Sequence, residues 1–402
     1  MKNPINITFV CHSFPPVMGG GETVIYLLAK YLSRNSNFDV TVVTGERSLN
    51  SLPDEMKGNF KISCISGFEE FAIGKLGIRY FLPDVYKAIK TSNPDIVHAF
   101  NFYPGYVASI YARQNKTPFI FTFFNTPNKT DNKVQLFLGV DQEINEALVN
   151  HLVPSLNFDC LDTLSEFYLE TAIKMGVPKN KVSLCYPGPD SELFNPKLKS
   201  SKIRKELGVL NSDCLIVIPA RMIPRKKLEV VINSLKYLNK LPIKLVISSG
   251  GTVQPGYKNY YQKILNLIIK NKLRNKIILP MKTFSLVEVG KLYSSSDICV
   301  LPSAFEGLGL GILETMQCGI PVIASNTEGV REIITNKENG LLFTPEDPID
   351  LANQIRSLAL DKTFKSKIVM AANKVLKNRF NLDKYIAFHK KLYTEKLSSV
   401  LP

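Results

Sequence analysis

Short apolar runs alternate along the chain with stretches whose apolar positions recur every three or four residues. INITFVC (5–11), FDVTVVT (38–44), FKISCIS (60–66), NPDIVHAF (93–100) and PFIFTFF (118–124) read as buried strands. TVIYLLAKYLSR (23–34) and the segments near 78–91 and 104–114 carry helical spacing. HLVPS (151–155) predicts a short strand, DCLDTLSEFYLETAIKMG (159–176) a helix, and KVSLCYP (181–187) a closing strand. Regular alternation of strand and helix predicts a parallel sheet with helices on both faces. PGPDSELFNP (187–196) is rich in Pro, Gly and acid and reads as a linker. The pattern then restarts with CLIVIPA (214–220), IKLVISSGG (243–251), KIILP (276–280), DICVLP (297–302) and IPVIAS (320–325). From about residue 348 the tail is helical. The expectation is an α/β chain of two doubly wound parallel-sheet domains. The first spans 1–190 and the second 191–380, with a last helix at 381–398.

A length of 402 residues suits two domains, and 45% hydrophobic with 21% charged residues is ordinary for a chain with a sizeable core. No apolar run approaches the roughly 18 residues of a membrane span, and the start enters a strand pattern at once, so no signal peptide is expected. The seven Cys are scattered and never spaced CxxC. They predict reduced, buried thiols in a cytoplasmic protein rather than disulfides or zinc. Four His without HExxH make a His-built metal site unexpected. The net charge of +15 divides unevenly. Residues 1–190 hold 17 Lys/Arg and 18 Asp/Glu, whereas residues 191–402 hold 33 and 17. A basic half points to anionic partners or to a solvated basic face. Without dense aromatic interleaving it does not resemble a nucleic-acid surface.

Candidate chemistry gathers after strand ends. Residues 297–319 read as a strand, a glycine-bearing loop and a helix, with Glu306 in the loop and Glu314 on the helix, seven residues between them. Gly307 and Gly309 permit close backbone approach, the helix start offers unpaired N–H groups, and a carboxylate accepts from paired sugar hydroxyls. The plainer alternative is a strand–loop–helix with two solvated glutamates. After the strand at 214–220, RMIPRKK places Arg221, Arg225, Lys226 and Lys227 together. Fixed cations of this kind hold phosphate oxygens. No DxD motif is present to suggest a metal–diphosphate complex. Gly19, Gly20 and Gly21 follow the first strand without forming GxGxxG. His98 stands near a strand end, where a packed core role is the commoner one.

In these residues the chain resembles the GT-B glycosyltransferases of family 4 over nearly its whole length, which implies two Rossmann-like domains facing across a cleft and the last helix, 381–398, returning to the first. The resemblance rests on PPVMGGGE (15–22), the stretch ending in NKVSLCYPGPDSELFNP (180–196), an Arg-x4-Lys pair in PARMIPRKK (219–227), and Glu-x7-Glu in FEGLGLGILETMQCGIPVIASNTEGVREII (305–334). It implies a hexosyltransferase-type enzyme that moves a sugar from a nucleotide-diphosphate sugar, with retention and without a metal or other cofactor. By the resemblance, Arg221 and Lys226 bind the donor diphosphate. Glu306 meets sugar hydroxyls, with Gly307, Leu308, Gly309 and Leu310 beside it. Glu314 accepts from the ribose, Gly19 and Gly20 close over the diphosphate, and Glu328, Gly329 and Val330 lie in the neighbouring loop. The donor nucleotide (UDP, GDP or ADP) stays open. The acceptor is a glycan, a lipid-linked carrier or a small molecule, with peripheral contact at the cytoplasmic face of a membrane as a further expectation and no nucleic acid partner.

The chain departs from the family pattern at four places. His-Ala-Phe (98–100) replaces a frequent His-x-His, Phe124 with Asn125 stands where an active-site His is often found, Pro-Gly-Pro-Asp (187–190) replaces the usual Asn-Gly turn, and Lys227 occupies a position where Gly is common. His98 and Asn125 are therefore the weaker acceptor-side candidates. Two other readings remain: a same-fold epimerase or phosphorylase, and a catalytically silent nucleotide-sugar-binding protein.

Overall fold

The described strands all pair in parallel, so within a sheet each is joined to the next by a crossover. The computed structural model describes residues 3–16, 19–45, 52, 56–68, 81–124, 150–248, 257–280 and 284–399. Two units divide the chain, Met1–Pro187 with Leu382–Pro402, and Gly188–Asn381.

In the first unit, β1 (Ile5–Val10), β2 (Phe38–Gly45), β3 (Lys61–Ile65), β4 (Ile96–Phe100), β5 (Phe119–Thr122), β6 (Cys160–Thr163) and β7 (Val182–Leu184) form one sheet in the order β3-β2-β1-β4-β5-β6-β7. Helices α1 (Gly20–Ser33), α2 (Leu82–Ser92), α3 (Phe102–Asn115) and α4 (Glu166–Lys174) supply connections. Val10, Val97, Ala99, Phe119, Phe121 and Leu161 carry the sheet into an apolar core shared with Val85, Val107 and Tyr168 from the helices. Burial on both faces explains why these strands read as continuous apolar runs.

The second unit repeats the plan. Its six strands are β8 (Cys214–Ile218), β9 (Ile243–Ile247), β10 (Ile277–Ile278), β11 (Ile298–Leu301), β12 (Val322–Ser325) and β13 (Leu341–Phe343), in the order β10-β9-β8-β11-β12-β13. The helices are α5 (Ser201–Glu206), α6 (Leu228–Ser234), α7 (Lys258–Lys270), α8 (Leu286–Ser294), α9 (Leu310–Gln317), α10 (Glu328–Arg331), α11 (Pro348–Leu360) and α12 (Lys362–Asn378). Local signals set several helix starts. Ser285 and Glu288 form a reciprocal capping box at α8, and Asp347 and Asp361 cap α11 and α12. Strand order reverses between β1 and β4 in one sheet and between β8 and β11 in the other. Those reversals open crevices at the carboxyl ends of the strands.

The last helix, α13 (Leu382–Ser398), belongs to the first unit. Its inward face is polar as well as apolar. His389 Nε2 lies 3.1 Å from Asp162 Oδ2 on β6, and Tyr393 hydroxyl lies 2.7 Å from His98 Nδ1 on β4. The His98 and His389 rings stack 5.9 Å apart. All four side chains are fully or almost fully buried. Burial raises the Asp162 carboxyl, against the opposing pull of His389. Burial and then His389 hold His98 well below the usual imidazole range.

Three elements differ from the sequence reading. Residues 150–155 are helical, not a strand. The strand of this region is Cys160–Thr163, inside the segment expected to be helix, where it pairs with β5 and β7. A run of four or five apolar residues does not distinguish the two states by its period, and pairing with neighbours decides. The short β13, paired with β12, had no sequence signal of its own.

The buried polar contacts of α13 predict a stability effect. His389→Ala leaves Asp162 without its imidazole partner in an apolar site and should cost the first unit about 3 kcal/mol. Lys391→Ala, on an exposed turn of the same helix, should cost almost nothing. Urea unfolding with hydrogen exchange read at the β5 and β6 amides checks both.

Candidate functional site

Buried apolar strand β11 delivers the chain to a loop, residues 302–309, beside the loop that leaves β8. The two loops are stitched together. The Ala304 N–H donates to the Arg225 carbonyl at 2.9 Å, and Arg225 Nη1 donates to the Phe305 carbonyl at 2.7 Å. Lys226 Nζ donates to Glu306 Oε1, and Arg225 Nη1 lies 3.5 Å from Glu306 Oε2. A 3-10 turn, Pro224–Lys226, brings these two cations round toward the carboxylate. Arg221, four residues before Arg225, is exposed. The sequence reading placed Arg225 in the basic cluster without giving it a role; in the structure it is a partner of Glu306.

The following turn needs glycine for two different reasons. Gly309 has φ +87°, in the left-handed region, and starts α9. Gly329 needs no unusual backbone angle. A methyl group there would lie 2.2 Å from the Glu306 carbonyl oxygen and 2.7 Å from that of Gly307. Segment 328–330 thus packs directly on the backbone of the Glu306 loop, with Val330 buried beneath. Leu308 is buried, and Leu310 is partly exposed at the helix start. Lys227, where the resemblance leads one to expect Gly, adopts φ +45°, and its ammonium pairs with Glu346 at 2.9 Å.

The two glutamates are almost equally buried, at 8% and 9% exposure, yet their surroundings differ. For Glu306, burial raises the carboxyl, but Lys226 and Arg225 outweigh it and bring it down to about 2. Lys226 is pulled down to about 8 by its own burial, with Glu306 opposing. For Glu314, burial acts without an opposing cation and pushes the carboxyl up to about 7. Among the described residues its side chain receives no hydrogen bond. A buried carboxyl in this condition costs stability and gives a ligand with paired hydroxyls an acceptor.

The remaining candidates lie in the first unit. Gly19 is extended and precedes α1, whose first turn includes Gly20 and has no side-chain cap. A methyl group at Gly21 would meet the Phe124 ring at 2.7 Å, so the glycine run fits against that ring. Phe124 is fixed by its N–H donating to Asn101 Oδ1 at 2.9 Å and by Tyr168 hydroxyl donating to its carbonyl. His98 is fully buried, with Thr122 Oγ1 2.9 Å from Nε2 and Tyr393 on Nδ1, which leaves neither nitrogen for a ligand. Asn125 lies outside the described residues. His12, just past β1, is buried with Nε2 unpartnered among the described residues. Sequence reading gave it no role, since a single His in a loop has no spacing to single it out.

Among the described residues no group of three or more His, Cys, Asp or Glu is placed to hold a metal ion, and no helix is long and apolar enough to cross a membrane.

Comparison with known proteins gives consistent results. Residues 199–375 match the family Glycosyl transferases group 1, and residues 18–193 match Glycosyltransferase Family 4. An uncharacterised glycosyltransferase of Methanocaldococcus jannaschii is 28% identical over 210 residues, which are 51% of this chain and 52% of that protein. The chain thus spans about half the length of that relative. The UDP-Gal:alpha-D-GlcNAc-diphosphoundecaprenol alpha-1,3-galactosyltransferase of Escherichia coli is 26% identical over 78% of this chain and 79% of its own length. The crystal structure of Anabaena HepE in complex with UDP and glucose superposes with a TM-score of 0.77 at 19% identity, covering 96% of this chain and 99% of that one. The fold is GT-B.

The uncompensated carboxyl of Glu314 predicts a pH effect on stability. Its value in the folded protein, about 7, lies above the 4.5 of a free glutamate, so between these the folded state keeps a proton that the unfolded chain has lost. The stabilisation is present below 4.5 and is lost as pH rises through 7. Glu314→Gln removes this dependence and should raise stability above pH 7 by about 2 kcal/mol. Melting curves of both proteins at pH 5 and pH 8 test it, with the gap opening at the higher pH.

Proposed function

This chain belongs to glycosyltransferase family 4, and we propose that it transfers a sugar from a nucleotide-diphosphate sugar to an acceptor, retaining the anomeric configuration and using no metal. The observation that carries this reading is the pair Glu306 and Glu314. One, in the loop before a glycine-started helix, is held ionised by two cations, and the other, on that helix, is buried with no hydrogen-bond partner among the described residues. Paired ribose hydroxyls give Glu314 the donors it lacks, which offsets its desolvation on binding. Sugar hydroxyls meet Glu306. The diphosphate takes Arg221, Lys226 and the free N–H groups near Leu308 to Leu310 at the start of α9. Gly329 and Val330 support that loop from beneath.

Charge placed at the leaving diphosphate stabilises the transition state as the anomeric carbon gains oxocarbenium character. Two cations, Arg221 and Lys226, supply the positive charge that a divalent ion gives in other designs. A uridine nucleotide is the first donor to test, because the E. coli relative is named for UDP-Gal and the Anabaena protein was solved with UDP. A lipid-linked acceptor is consistent with that E. coli relative, named for a diphosphoundecaprenol substrate, and with the basic second half of this chain. Such an acceptor would bring the enzyme to the cytoplasmic face of a membrane.

Two predictions test this reading. Transfer from the UDP-sugar should persist in excess EDTA. Loss of activity that Mg²⁺ or Mn²⁺ restores would refute metal independence. Calorimetry then separates the glutamates. Glu314→Ala should weaken UDP by about 1–3 kcal/mol, as for a lost hydrogen bond to a charged group. Glu306→Ala should bind UDP no less tightly, because it frees Lys226, yet lower turnover on the order of 100-fold. Equal weakening of UDP by both substitutions would show that the roles are wrongly assigned.

A further inference from the structure

We propose that Arg225 is a positioning residue for this transfer, holding Glu306 in place as a carboxylate while Lys226 leaves it for the donor diphosphate. The inference rests on the function proposed above and concerns the same site. Without substrate, Lys226 is committed to Glu306 through a direct hydrogen bond. The proposed reaction needs both groups elsewhere, the ammonium on phosphate and the carboxylate on the sugar. Their pairing is therefore a resting contact that the donor must open. Both side chains are only about a tenth exposed, at 11% and 10%. A carboxylate abandoned by its cation at that burial would take up a proton and lose its capacity as an acceptor.

Arg225 is built to prevent this. Its guanidinium is anchored by Nη1 donation to the Phe305 carbonyl, one residue before Glu306. Its own carbonyl accepts from Ala304, so the residue is tied to the Glu306 loop at both ends. Tied in this way it does not follow the diphosphate as a free side chain does. It already stands 3.5 Å from Glu306 Oε2, the oxygen that Lys226 does not hold, and a small closure makes a full hydrogen bond. Arg221 is exposed and free of this tether, which suits it to the phosphates. Of the four cations in the cluster, Arg221 and Lys226 thus move to substrate, Arg225 stays, and Lys227 pairs with Glu346. The charged groups bearing on Glu306 are Lys226 and Arg225. Gly329 packs on its backbone from α10 and brings no charged atom of its own.

The first test needs no substrate. In full-length protein carrying Glu314→Gln, which removes that group's titration, Lys226→Met mimics departure of the ammonium. Melting temperature is then followed from pH 4 to pH 8 with Arg225 intact and with Arg225→Gln added. Arg225 alone should keep Glu306 ionised, so Lys226→Met shows no steeper fall in stability from pH 5 to 7 than the Glu314→Gln background, in which the buried Asp162 titrates alike, and the double substitution does. An equal fall in both would overturn the proposal. The second test is kinetic. Arg225→Gln should leave UDP affinity within twofold and move the acid limb of kcat upward by at least one pH unit, and Arg225→Lys should restore the limb. An unmoved limb, or a tenfold loss of UDP affinity showing that Arg225 itself binds phosphate, would also overturn it. Absence of UDP binding and of transfer in the wild type would instead overturn the proposed function, with the melting curves still deciding what Arg225 does to Glu306.

Discussion

A parallel sheet covered on both faces leaves its strands no polar surface, and that confines the chemistry of this protein to the ends of strands. Every residue of β11 and of β12 is buried, and β8 has only its first residue partly exposed. Polar groups that must meet a ligand are consequently placed on the connections at the carboxyl ends, and the reversal between β8 and β11 brings two such connections side by side. The loop after β8 supplies cations, and the loop after β11 with the helix that follows it supplies carboxylates. Hydrogen bonds from Ala304 and Arg225 then lock one loop to the other. Gly329 completes the arrangement from the next connection, where any side chain would push against the Glu306 carbonyl.

Much of this was legible in the sequence for a physical reason. Doubly buried strands lose the alternation of an exposed sheet and become uninterrupted apolar runs, such as CLIVI and ICVL, which are easy to find. Glu-x7-Glu and the basic run were legible because loop residues adjacent in sequence stay adjacent in space. What was not legible depends on long-range pairing or on side-chain direction. HLVPS and CLDT exchanged their helix and strand states because each is too short for its period to decide. The four cations of RMIPRKK look alike in sequence. Only the turn at Pro224–Lys226 turns Arg225 and Lys226 inward and leaves Arg221 in solvent. His98 invited a site role by lying on a strand near its end, but Tyr393, almost 300 residues further along the chain, occupies its Nδ1. A contact across that separation leaves no trace in local sequence.

Lys227 illustrates how a departure from the family pattern can be accommodated. Its left-handed backbone, φ +45°, is what a glycine would adopt freely. A lysine there carries a steric cost on the order of 1 kcal/mol. Its pairing with Glu346, which is itself left-handed at φ +63°, offsets only a small part, since the glutamate is largely exposed. The backbone path through this turn is therefore set by the stitched loops and not by the local preference of residue 227.

The two glutamates show what the site asks of its environment. They stand eight positions apart and are equally buried, so desolvation pushes both toward the neutral form. Only the loop after β8 distinguishes them, because its cations reach Glu306 and not Glu314. The free protein thus stores two opposite imbalances in one small volume. At Glu306 the charge is compensated in advance and must be released to a substrate. At Glu314 it is uncompensated and awaits donors. A ligand that brings anionic oxygens for the cations at one end and hydroxyl donors for a carboxyl at the other relieves both at once. A phosphate alone would relieve only the first, and a sugar alone only the second. In the proposed function this joint requirement fits a molecule carrying diphosphate and ribose together, and it follows from the placement of Glu306, Glu314, Lys226 and Arg225.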